Sequence, residues 1–136
     1  MTRLSRRACL QSLAALPMAR IASAGFAEPK KLPVAAVATV YNRNSHADVI
    51  IGKILEGFRQ DGGEGPNLEL VSMFTDQVGT NDLGRGLAEK HGFRTASSID
   101  DAITLGTDKL QVAGVLSIGE HGNYPSSADA NQKMFP

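Results

Sequence analysis

The sequence predicts an α/β fold, a mostly parallel sheet of about four strands with flanking helices. Two observations carry this. Apolar, β-branched runs alternate with segments of helical period, and short polar or glycine-bearing connections join them. The first run, Val34–Tyr41, is apolar almost throughout rather than at every second residue. That pattern belongs to a strand buried on both faces, as in a parallel sheet.

The elements follow in order. Asn42-Arg43-Asn44 is a polar turn after the first strand. Ser45 and Asp48 have the spacing of a capping box, with Asp in place of the usual Glu. The helix they open carries Ile50, Ile51, Ile54, Leu55 and Phe58 at helical spacing, and the glycine-rich stretch Asp61–Pro66 ends it. Leu68–Phe74 reads as the second strand. Thr80 or Asn81 then caps a helix through His91, with Leu83, Leu87 and Ala88 inward and Gly92 as its stop. Phe93–Ala96 is a short third strand. Ser97 and Ser98, with Asp100 and Asp101 three residues on, start a helix carrying Ile99, Ala102, Ile103 and Leu105, which Gly106 closes. Val112–Ile118 is the fourth strand. The rest is polar and brings no closing helix, so the sheet is expected to be incomplete.

The N-terminus is of another kind. Ser5-Arg6-Arg7 with Leu10, a mildly apolar run to Ala19 and the small-x-small triplet Ala22-Ser23-Ala24 resemble a twin-arginine export signal. This implies the translocation machinery as a partner, cleavage after Ala24 or, at a second possible cut, after Ala27, and a periplasmic or extracellular location. The expected organisation is a signal peptide over 1–27, a linker over 28–33, the α/β domain over 34–125 and a polar tail over 126–136. No run of about 18 apolar residues is present, so a spanning helix is not expected and no membrane contact is expected after cleavage. The lone Cys9 excludes an internal disulfide and a multi-cysteine metal site.

The charge balance also divides. The whole chain has 14 basic and 14 acidic side chains and no net charge. Residues 1–27 hold Arg3, Arg6, Arg7 and Arg20 and no acid, so the remainder has 10 basic against 14 acidic groups, a net −4. An acidic domain is a poor partner for nucleic acid.

In sheets of this kind, ligands bind beyond the carboxyl ends of the strands, where the strand order reverses. With the order 3-2-1-4, the loops after the first and fourth strands share one crevice. The first loop holds Tyr41, Asn42, Arg43, Asn44, Ser45 and His46, and the last holds Glu120, His121, Asn123 and Tyr124. Asp76 follows the second strand. Arg43 and the free helix-start amides suit an anion, and each of these residues reads equally as a solvated loop position. His46, Glu120 and His121, with Asp76, could also assemble as nitrogen and oxygen ligands for zinc or manganese, although no metal-binding spacing is present. No Gly-x-Ser-x-Gly elbow occurs. Gly62-Gly63-Glu64-Gly65 lies on the wrong edge of the sheet for phosphate.

Residues Leu68–Pro125 resemble the N-terminal Rossmann-like domain of the glucose–fructose oxidoreductase and inositol dehydrogenase family. The matching pieces are the strand ending at Asp76, Leu87-Ala88-Glu89-Lys90-His91-Gly92-Phe93, the helix from Ser97 to Ala102, and the strand Val112–Ile118 with His121 beyond it. The resemblance implies NAD or NADP as cofactor, with Asn42, Arg43, Ser45, His46 and Asp76 on the cofactor side and Asp76 near the adenosine ribose. It places Glu120 and His121, as catalytic residues, near the nicotinamide. The family's Gly-x-Gly-x-x-Gly is missing from residues 38–48. The expectation is an exported oxidoreductase-like protein with a degenerate dinucleotide domain, acting on a sugar or polyol. The alternatives are a non-redox module for sugars or anions and a metal-dependent hydrolase.

Overall fold

The computed structural model describes residues 30–125. The expected signal peptide, with Cys9, and the polar tail lie outside the described residues. The elements are β1 (Leu32–Ala38), α1 (His46–Glu56), β2 (Leu68–Thr75), α2 (Gly84–His91), β3 (Arg94–Thr95), α3 (Ile99–Thr104) and β4 (Gly114–Ile118). The four strands form one all-parallel sheet in the order β3-β2-β1-β4. This is a Rossmann-like α/β arrangement with flanking helices, and the strand order is the one under which the loops after the first and fourth strands share a crevice.

β1 holds the centre because its side chains are small. Ala35, Ala36 and Ala38 are fully or almost fully buried, and alanine lets layers approach closely on both faces. Val34, Ala36 and Ala38 join Met73, Ile118, Phe93 and the α1 residues Ala47, Ile51 and Ile54 in one apolar cluster. On β2 the neighbour of Met73 points the other way: the buried Ser72 hydroxyl donates to the Ala102 carbonyl of α3. Consecutive residues of β2 therefore bind different helices on different faces.

Several boundaries differ from the sequence reading. β1 starts at Leu32, inside the expected linker, and ends at Ala38 rather than Tyr41. Tyr41 lies in the loop between β1 and α1, but its side chain turns inward rather than into the crevice. It is fully buried in the core, and its carbonyl accepts from the Leu83 amide. Its hydroxyl has no partner among the described residues, and burial, then the charges of Asp48, Glu56 and Asp82, raise the phenol well above its ordinary range. Neither Thr80 nor Asn81 caps α2. The helix begins at Gly84 after Leu83, with no side-chain cap. β4 begins at Gly114 rather than Val112, and just before it the Ala113 amide donates to the Pro33 carbonyl of β1. Ile50, Phe58 and Ile99, expected on inward stripes, are exposed. The sheet is narrow, and each helix has only one side against it.

The caps at Ser45 and Ser98 follow the sequence. Each side chain accepts from the amide three residues on, Asp48 and Asp101 respectively. Gly57, with φ of 85°, ends α1 before the Asp61–Pro66 stretch is reached. Ser45→Ala is expected to cost about 1 kcal/mol, read from the urea midpoint of unfolding at neutral pH.

Candidate functional site

The carboxyl ends of β1, β2 and β4 meet at one edge, and the segment after β4 crosses that edge. Backbone pairing of β1 with β2 continues past the strands, with Asp76 donating to Ala38 and Gln77 to Thr39. Thr39, almost fully buried at the end of β1, sits at the centre. Its hydroxyl accepts from the Glu120 amide at 3.2 Å.

Glu120 and His46, placed in one crevice by sequence, are in direct contact. His46 Nδ1 lies 2.9 Å from Glu120 Oε1, and the His46 amide donates to the same oxygen. The Glu120 side chain is only 10% exposed while that of His46 is 76% exposed. Burial works against the Glu120 charge, yet the His46 side chain and amide, with the Ala47 amide, hold its carboxyl below the usual carboxylate range. The carboxylate thus sits at the positive end of α1, where the helix amides and dipole favour negative charge.

Asp76 is engaged as well. The Tyr124 hydroxyl donates to Asp76 Oδ2 at 2.6 Å, which raises the phenol above its ordinary range. The Asn123 amide donates to Gln77 Oε1 at 2.8 Å. Asp48 accepts from the Asn44 amide through Oδ2 at 2.8 Å. The remaining expected residues stay apart from these contacts. Arg43 and His121 are exposed. Asn42 is half-buried and its carbonyl accepts from the Ser45 amide, while the Ser45 side chain is used as the α1 cap. Thr39 and Gln77 were not singled out by sequence. Thr39 had a signal, as the one threonine in an otherwise apolar run.

Beneath the crossing segment, on the α3 side of the sheet, is a cavity of about 200 Å³. Val37, Phe74 and Ile118 supply apolar wall, and Thr39, Asp76, Ser117 and Tyr124 supply polar groups. A second cavity of about 290 Å³ lies between the end of β2 and the start of α2, lined by Met73, Thr75, Asp82 and Arg85 among others. It is away from the edge where β1 and β4 diverge.

A dinucleotide, which this fold commonly takes, fits these residues poorly. Its pyrophosphate needs free amides at the α1 start and a glycine turn that lets the backbone approach. Here those amides hold Glu120, Asp48 adds a second negative charge, and residues 38–48 contain no glycine. Among the described residues, no group of three or more His, Cys, Asp or Glu is placed to hold a metal ion. No helix among them is long and apolar enough to cross a membrane. Comparison with protein-family models, curated proteins and solved structures finds no match.

The lowered Glu120 carboxyl makes stability depend on acid. Its contribution is present above the unfolded value, about 4.3, and is lost as pH falls through the lower folded value. Chemical denaturation from pH 7 to pH 3 should show a smaller loss for Glu120→Gln than for the wild type. Some acid sensitivity should persist in the variant. Lys90 holds Glu56 low, and the Ser97 amide with Arg94 holds Asp101 low.

Proposed function

We propose that this chain is a non-redox binding module of Rossmann-like form that takes a small neutral polyhydroxylated ligand, a sugar or polyol. The observation that carries this reading is the cavity between β1, β2 and β4, where Thr39, Asp76, Ser117 and Tyr124 converge beside Val37 and Phe74. A sugar ring has an apolar C–H face and a rim of hydroxyls, and the wall and polar groups match those two surfaces. Asp76 already accepts from Tyr124, and a carboxylate retains lone pairs for a ligand hydroxyl. A cavity of about 200 Å³ suits one small ring.

The competing oxidoreductase reading with NAD or NADP rests on the resemblance over Leu68–Pro125 and on the strand order. The charge at the start of α1 weighs against it. The two readings separate in one calorimetric comparison. Saturable binding of a monosaccharide or polyol without cofactor is expected, and Asp76→Asn should weaken it roughly tenfold, the worth of one charge-assisted hydrogen bond. Saturable binding of a nicotinamide dinucleotide, with none of any sugar, would reverse the conclusion.

The N-terminal pattern supports delivery of this module, already folded, by the twin-arginine machinery. Replacing Arg6 and Arg7 together by Lys should leave uncleaved precursor in the cytoplasm. Cell fractionation reads this directly, and unchanged export of the double variant would count against the route.

A further inference from the structure

Residues 119–124 leave β4 and cross the carboxyl edge of the sheet as a strap. Four of its groups are spent on that edge. The Glu120 carboxylate takes the His46 amide and imidazole, and the Glu120 amide reaches Thr39 Oγ1. The Asn123 amide reaches Gln77 Oε1, and the Tyr124 hydroxyl reaches Asp76 Oδ2. Gly122, buried in the middle, lets the strap lie this close. A Cβ there would stand 2.5 Å from the Tyr124 ring and 2.7 Å from Thr39 Cγ2.

A parallel α/β crevice grips a dinucleotide at two polar points. An anion rests on the amides at the start of the first helix, and a ribose hydroxyl donates to an acid after the second strand. The strap supplies a group of the same chemistry at each point. A carboxylate sits on the α1 amides, and a hydroxyl donates to Asp76. We infer that residues 119–124 are an internal ligand, a peptide stand-in for a nucleotide that holds the crevice of this sheet shut. The inference goes beyond the sugar-binding reading and does not depend on it. The cavity opens on the α3 side, whereas Glu120 masks the α1 amides.

The physical basis is tethering. A carboxylate attached to the same chain competes at an effective concentration in the millimolar range or above. Asp48, bound at the same turn, adds repulsion toward any incoming anion. With the strap lifted, the His46 and Ala47 amides lose their anion, while the exposed His46 side chain remains at the helix start.

Inorganic pyrophosphate, titrated into the full chain and followed at the His46 and Ala47 amide resonances, tests this. The wild type should show no saturable shift at millimolar pyrophosphate. Glu120→Ala, which removes the internal anion, should show one, with affinity at least tenfold tighter. Gly122→Ala keeps every charge and only pries the strap away, and it should show the same gain. Glu120→Gln should fall between the wild type and Glu120→Ala. It preserves the side-chain length and carries the test with Gly122→Ala if truncation to alanine unfolds the chain. Binding to the wild type as tight as to the variants would overturn the inference. So would folded variants, with dispersed spectra, whose two amides ignore pyrophosphate.

Discussion

The structure depends on one strand that must be small and apolar on both sides. β1 is paired with β2 on one edge and β4 on the other, and its alanines are buried against both helix layers. Larger side chains at Ala35, Ala36 or Ala38 would push α1 or α3 off the sheet. Overpacking of this kind costs about 1–3 kcal/mol in a well-packed core. The same strand delivers Thr39 to the carboxyl edge, so the packing constraint also sets where chemistry can occur.

At that edge, electrostatics decides what the fold can hold. A helix start offers free amides and a positive field, and many parallel sheets leave both for a phosphate. Here Glu120 occupies them from within. The desolvation cost of a nearly buried carboxylate is offset by bonds from the His46 side chain and from the His46 and Ala47 amides. One contact thereby caps α1, ties the last strand to the first helix and places negative charge where a cofactor's pyrophosphate would come.

Much of the architecture was legible in the chain. The run from Val34, the Ser45 and Ser98 caps and the glycine stop at Gly92 are local signals, and each element formed near its expected place. Errors fell where tertiary contacts override local pattern. Tyr41 ends the first apolar run and opens the loop, and local pattern does not tell that from this loop its ring turns back to close the core. Thr80 and Asn81 resemble caps, yet α2 starts later, where the Leu83 amide is bound to Tyr41. Ile50, Phe58 and Ile99 have inward spacing, but the narrow sheet does not extend over them. Of the residues expected at the crevice, His46 with Glu120 and Asp76 with Tyr124 are in contact, while Arg43 and His121 are exposed. What each one touches was not legible, since loop residues carry no periodicity.

By itself the sequence determined the strands and the helices, because hydrophobic period and capping act over a few neighbouring residues; the order β3-β2-β1-β4 is a matter of pairing between distant segments. Only the tertiary structure decided that Glu120 turns onto α1 and that Tyr124 reaches Asp76. Those partners stand 74 and 48 residues apart in the chain, and they meet only because β4 lies beside β1 and β2 lies on its other side. No local rule specifies which oxygen a charged side chain at a strand end will seek. The geometry of the assembled edge does, by leaving two α1 amides and one carboxylate within reach of the same short segment.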